Sequence, residues 1–232
     1  QFERLHVGEK DEYDNVTEWL NLDLLAENMK VHTSRILRRV VRSDQPAVQY
    51  TKITYDLDPA HLKLYQRIAE ERLVDFKDGS EIDAISASAL RSALQQVIMN
   101  WGEFDEDPNR TPRGLELAEE ILDEIGDRKL VVVANFRRTN AYLLQALSKY
   151  NSVAVYGDVS PAGKQKAIRK FIEDDACRVI LLQPQSAGFG VDGLQKVCSD
   201  MLVLEAPTTS PPFHQVVARL DRDGQEESVN CR

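Results

Sequence analysis

The chain has 232 residues, 42% of them hydrophobic and 29% charged, with a formal net charge of −9. That balance describes a globular protein with enough chain for a sizeable core, and it argues against a uniformly basic nucleic-acid coat while allowing a local basic track. No apolar run approaches the roughly 20 residues that span a bilayer, and the start, QFERLHVGEK, has no signal-peptide hydrophobic region.

Three scattered cysteines, Cys177, Cys198 and Cys231, form no CxxC pair. A metal site or disulfide framework is therefore not expected, and a reducing compartment, cytoplasmic or nuclear with no membrane, fits. The chain starts at Gln1 rather than Met and stops in the apolar run Ser228-Val229-Asn230-Cys231, so both ends read as cuts in a longer protein.

Along residues 1–48, Thr17 can cap an amphipathic helix carrying Trp19, Leu20, Leu24 and Leu25, and the basic stretch Arg35-Ile36-Leu37-Arg38-Arg39 follows. AVQYTKITYDL (47–57) alternates and predicts a strand. Asp58-Pro59 opens a helix to about Phe76, a polar loop runs to Ser80, and a second helix covers 84–100. GEFDEDPNRTP (102–112), rich in acids and proline, is the clearest linker. Beyond it the pattern is regular. Thr111-Pro112 starts a helix with Leu115, Ala118, Ile121, Leu122 and Ile125 on one face, closed by Gly126. KLVVVANF (129–136) is a buried strand, 139–149 a helix, and SVAVYGD (152–158) a strand. Ser160-Pro161 opens a helix to about Glu173, RVILLQ (178–183) and MLVLE (201–205) are strands, and Ser210-Pro211-Pro212 opens a last helix ending before Gly224. Apolar strands alternating with helices predict an α/β fold, a parallel sheet covered on both faces.

The segment FHQVVARLDRDGQ (213–225), read as a helix, puts Gln215, Arg219 and Arg222 on one face and Phe213, Val217 and Leu220 on the other. Two guanidiniums a turn apart suit a phosphate, since each offers a rigid fork of donors. By itself such a pair is more often a solvated stripe. In context it resembles the sixth motif, Q-x-x-x-R-x-x-R-x-G-Q, of Swi/Snf-type ATP-dependent DNA translocases of helicase superfamily two. Gln215, Arg219, Arg222, Gly224 and Gln225 match, while Asp221 and Asp223 replace the family's His and apolar residue, and either could pair with an arginine. QSAGFGVDGLQ (185–195) resembles the fifth motif, KLVVVANFRRTNAYLLQAL the fourth, and VYGDVSPAGKQKAIRKF the segment after it. LRR (37–39) and TYDLDPAHLKLYQRI resemble the entry to the same lobe. The resemblance runs from about residue 35 to the end and is strongest over 129–225.

That resemblance implies a RecA-like parallel sheet over 111–232, preceded by an inter-lobe connecting segment (1–48) and a strand, helical insertion and linker (49–110). It implies that Arg219 and Arg222 act as arginine fingers and that Gly190, Asp192 and Gln215 lie at the nucleotide. Asn135, Phe136, Arg137, Gly157 and Ser186 would contact the nucleic acid, with the basic helix Lys164, Lys166, Arg169 and Lys170 as a further track. ATP with magnesium would be held mainly by an N-terminal RecA-like lobe outside this sequence, and duplex DNA would be the track. The fragment alone would be inactive. The alternatives are an RNA helicase lobe of the same superfamily and a non-catalytic binding relative; the intact Gln215/Arg219/Arg222 set argues against the latter.

Other patterns compete. Gly188, Gly190 and Gly193 spell G-x-G-x-x-G with Glu205 at a later strand end, like a dinucleotide fingerprint. However, four residues separate strand from first glycine, and too few follow Gly193 for a crossover helix. Gly188 and Gly193 also have P-loop spacing, but Leu194 and Gln195 replace the phosphate- and magnesium-binding residues. Asp11-Glu12-Tyr13-Asp14 imitates an acidic box without a preceding strand and reads as a solvated loop. His61 and His214 read as isolated surface or edge residues, and Trp19 and Trp101 as core or interface anchors.

Overall fold

A computed structural model of the chain describes residues 2–33, 45–71, 73–75, 81–83, 86–100, 111–187 and 191–232. The basic stretch 35–39, Trp101, most of the expected linker, and Gly188 and Gly190 lie outside them. The chain forms two compact units, Gln1–Gln45 and Pro46–Arg232. No helix among the described residues is long and apolar enough to cross a membrane.

In the first unit α1 (Phe2–His6) leads into isolated antiparallel bridges, Val7 with Trp19 and Lys10 with Val16, and then α2 (Leu22–Lys30). The helix expected from Thr17 therefore starts five residues later, after Asn21 in a left-handed conformation (φ 50). The bridges hold residues 16–19 extended and so exclude a helix there. Trp19 stays 48% exposed, its ring edge against Phe2 at 6.3 Å. Asp11 Oδ1 accepts the N–H groups of Tyr13 and Asn15 at 2.9 and 2.8 Å, which makes the acidic box a solvated turn.

The second unit begins with β1 (Gln49–Tyr50), much shorter than the strand expected over 47–57. It pairs in parallel with β8 (Asn230–Cys231), and the Thr51 N–H also donates to the Cys231 carbonyl at 2.8 Å. Next come α3 (Pro59–Glu71), an antiparallel hairpin of β2 (Leu73–Asp75) and β3 (Glu81–Asp83), and α4 (Ala87–Met99). Ser86 caps α4 by accepting the Ala89 N–H. His61 is not a surface residue: it is 3% exposed, and its Nε2 donates to the Val97 carbonyl at 3.0 Å, joining α3 to α4.

The main body follows: α5 (Arg113–Glu124), β4 (Leu130–Val133), α6 (Arg137–Ala146), β5 (Val153–Val155), α7 (Pro161–Glu173), β6 (Val179–Leu182), the short α8 (Pro184–Ala187), β7 (Asp200–Val203), α9 (Ser210–Val217) and β8. The six strands form one sheet in the order β1-β8-β7-β4-β6-β5, every pair parallel. Every residue of β4 and β6 is buried, as a sheet covered on both faces requires. Alternation divides the core accordingly. Val131, Val133, Ile180 and Leu182 pack with Phe171 of α7 and Val216 and Val217 of α9. Leu130, Val132, Val179 and Leu181 pack with Leu122 of α5 and Leu143 of α6. The helices following the neighbouring strands β4 and β7 thus lie on opposite faces. This is the arrangement that opens a crevice at the carboxyl ends of a parallel sheet.

Two cations, buried Lys129 and half-buried Arg178, seal helix ends at the amino ends of the strands. Lys129 Nζ donates to the carbonyls of Phe171, Asp174 and Cys177 at 2.7, 2.7 and 3.0 Å, closing the C-terminus of α7. Arg178 does the same for α5 through the Leu122 and Gly126 carbonyls.

Candidate functional site

Four strand exits meet at the carboxyl edge. The loop Asn135–Arg137 leaves β4, Gly157 and Asp158 follow β5, Gln183–Ser186 follow β6, and Glu205 follows β7. Gln183 bridges the first three. Its Nε2 donates to the Asn135 carbonyl at 3.0 Å, and its Oε1 accepts the Gly157 N–H at 2.9 Å and the Ser186 hydroxyl at 3.2 Å. Gln185 Nε2 donates to the Asn135 side chain at 2.9 Å. Arg137 crosses Gly157 to pair with Asp158 at 3.0 Å. A Cβ on Gly157 would lie 2.6 Å from Arg137 Nε, so a larger residue there would displace the exposed guanidinium from this path. The structure therefore brings Asn135, Phe136, Arg137, Gly157 and Ser186 to one edge. The guanidinium and neighbouring polar groups there are solvent-exposed, suited to contact with an extended anion.

Glu205 was passed over in the sequence except as part of the dinucleotide pattern. It is 1% exposed. Its Oε2 accepts the N–H groups of Asn135 and Phe136 at 2.9 and 3.0 Å, and its Oε1 accepts the Thr139 hydroxyl at 2.6 Å. Burial pushes the carboxyl up to about 7 despite these bonds, which act in the opposite direction. A signal for such a residue did exist. The N-cap of α6 is Phe136, which has no capping oxygen, and Glu205 supplies the acceptor from another strand.

The second cluster gathers around residues 191–193. α9 stops at Val217, so Gln215, Arg219 and Arg222 do not share the helical face expected of them. Past Val217 the backbone tightens: the Arg219 and Leu220 N–H groups bond three residues back, to the Val216 and Val217 carbonyls. Leu220 is buried, and Gln225 Nε2 donates to the Cys198 carbonyl at 2.9 Å and the Leu220 carbonyl at 3.4 Å, closing the turn at Gly224 (φ 91). The two arginines still converge. Arg219 and Arg222 each reach the Val191 carbonyl, at 3.3 and 3.5 Å, and Arg222 pairs with Asp192 at 2.7 Å. Asp192 thus supplies a carboxylate to the second arginine. That contact holds the Asp192 carboxyl below the usual carboxylate range. Burial, then the neighbouring Arg222 charge, lowers Arg219 from its ordinary value. Gln215 is exposed on α9, and Gly190 lies outside the described residues.

The glycine triplet is no dinucleotide site: Gly193 (φ 90) opens only the single 3-10 turn Leu194–Lys196, which provides no crossover helix. Among the described residues no group of three His, Cys, Asp or Glu side chains is placed to hold a metal ion.

No family model matches the sequence, and no curated protein sequence matches it. Solved structures do match the fold. The C-terminal part of the Fun30 ATPase domain aligns with 81% of this chain and 84% of its own, at TM-score 0.56 and 15% identity. The Sulfolobus solfataricus SWI2/SNF2 ATPase core domain aligns with 90% of this chain at TM-score 0.59 and 18% identity, and this chain covers 45% of it. The same organism's SWI2/SNF2 ATPase core in complex with dsDNA aligns with 91% of this chain and 47% of its own, at TM-score 0.56 and 19% identity. The RecA-like α/β architecture read from the sequence is the one these likenesses show: the fold of a Swi2/Snf2-type ATPase lobe.

Proposed function

We propose that this chain is the C-terminal RecA-like lobe of an ATP-dependent DNA translocase, residing in the cytoplasm or nucleus. Residues 1–48 would connect it to an N-terminal lobe, 49–110 would supply a strand and helical insertion, and 111–232 would form the lobe itself. The observation that carries the reading is the convergence of Arg219 and Arg222 on the Val191–Asp192 turn, in a fold shared with Swi2/Snf2 ATPases.

Two adjoining guanidiniums fit an anion of the charge and shape of a terminal phosphate. ATP with magnesium, gripped by a P-loop on the other lobe, supplies the phosphoryl group whose transfer to water powers the motor. Arg219 and Arg222 neutralise charge that grows as that bond breaks, a contribution worth roughly 10³–10⁵ in rate for an arginine finger. Asp192 holds Arg222 in the meantime, and Gln215 and Gly190 border the same nucleotide. At the other cluster, Asn135, Phe136, Arg137, Gly157 and Ser186 touch one backbone strand of duplex DNA, as befits a fold shared with an ATPase core solved on dsDNA.

The test is made in the two-lobed protein. Arg222→Ala should abolish DNA-stimulated hydrolysis while ATP affinity stays within a few-fold, because ground-state phosphates are held elsewhere. Arg219→Ala should behave alike, and Arg222→Lys should not rescue, since an ammonium lacks the planar fork. Near-normal kcat in both alanine variants would return the pair to a structural role. An RNA helicase would instead show hydrolysis stimulated by RNA and not by duplex DNA.

A further inference from the structure

Neither proposed cluster uses Glu205 or Gln183, yet together they grip the loop that carries Phe136 and Arg137. Glu205, ending β7, holds the N–H groups of Asn135 and Phe136, and Gln183, ending β6, holds the Asn135 carbonyl. The Asn135 peptide is thereby fastened on both sides of β4. Behind it Asn100 donates to the Thr139 hydroxyl at 2.8 Å, and that hydroxyl donates onward to Glu205. A buried carboxylate is a costly way to cap a helix, because Ser or Asp at position 136 would do so locally without desolvating a charge far from the loop. What the distant carboxylate adds is position: it refers the loop to two neighbouring strands.

We propose that Glu205 and Gln183 are positioning residues for nucleic-acid contact, fixing from β7 and β6 the angle at which Phe136 and Arg137 meet a phosphate backbone. The inference rests on the reading of this edge as the nucleic-acid side.

Glu205→Leu preserves bulk but leaves two N–H groups and a hydroxyl without their acceptor. Glu205→Gln keeps an oxygen for the N–H groups and turns an amide N–H towards the Thr139 oxygen. Gln183→Met keeps length and removes both hydrogen-bonding groups. The measurement is the Kd of the full chain for a short fluorescent DNA duplex at low salt, with thermal unfolding recorded for each variant. Glu205→Leu and Gln183→Met should weaken binding by roughly fivefold, the scale of a lost buried hydrogen bond or two, and Glu205→Gln should bind within about twofold of wild type. Because the two residues act through the loop, Glu205→Leu should add less than about twofold to Arg137→Ala, whereas independent effects would multiply.

Wild-type affinity in Glu205→Leu, or multiplying effects in the double variant, overturns the positioning role. If Glu205→Leu does not fold, Gln183→Met carries the same expectation, and wild-type binding by it overturns the role. The two levels separate cleanly. If Arg137→Ala weakens binding and the positioning variants do not, only this inference fails. If wild type does not bind the duplex, or Arg137→Ala binds as well as wild type, the assignment of the edge fails and the positioning role falls with it.

Discussion

Glu205 accepts two backbone N–H groups and a hydroxyl, contacts that favour the ionised form, yet burial outweighs them and lifts its carboxyl from 4.5 to about 7. Between those values the folded protein keeps a proton that the unfolded chain has released. The group's stabilising contribution is therefore complete below about pH 4.5 and is lost as pH rises towards about 7. The stability of wild type relative to Glu205→Gln should decline across that window by up to about 3 kcal/mol and level off above it. Urea unfolding of both proteins at a series of pH values checks this; a constant difference would mean that the carboxyl is ionised throughout. The sequence pointed to Asn135, Arg137, Gly157 and Ser186, and the fold does gather them. Glu205 escaped because its importance depends on β7 lying beside β4, and no local spacing encodes strand order. The arginines show the converse. Phe213, Val217 and Leu220 continue a helical period through Leu220, so the pattern conceals a backbone that has already tightened after Val217.

Among the elements, β4 and β6 were plain as unbroken apolar runs because both their faces are covered. The edge strand β1 pairs over Gln49–Tyr50, within the alternating run 47–57 whose composition suits a strand throughout. α7 depends on a residue outside itself. Its last carbonyls are answered by Lys129, whose ammonium also lies 5.1 Å from the centroid of the Phe171 ring. Lys129→Met would keep the stem and remove the ammonium, stranding carbonyls at a helix end. A loss of about 2–4 kcal/mol is expected from several charge-assisted bonds broken together. Equilibrium denaturation should report it as a lower midpoint with an unchanged slope. A shift below about 0.5 kcal/mol would show that water replaces the lysine without penalty.

For the whole chain, the net charge of −9 opposes approach to a polyanion, and the cations at the carboxyl edge are few. Binding of duplex DNA by this chain alone should be weak, on the order of 10⁻⁴–10⁻⁶ M at physiological salt, and should weaken further as salt rises. ATP hydrolysis should be undetectable with or without DNA, since the proposed fingers have no P-loop in this sequence to work against. Titration by fluorescence anisotropy at several salt concentrations and a phosphate-release assay check both. Tight, salt-indifferent binding would contradict an electrostatic contact, and robust turnover would contradict the division of labour between two lobes.

The sheet also dictates an order of events. Its first strand, Gln49–Tyr50, pairs with its last, Asn230–Cys231, while β4, β6 and β5 are neighbours in the middle of the chain. During synthesis the central strands can assemble as soon as β6 emerges, but β1 has nowhere to dock until nearly the whole unit has been made. The segment from Gln49 to the start of α3 therefore waits on the ribosome as an unpaired edge, exposed to whatever strand or chaperone finds it first. Only when Asn230 and Cys231 have left the tunnel can Gln49 and Tyr50 pair and that exposure end.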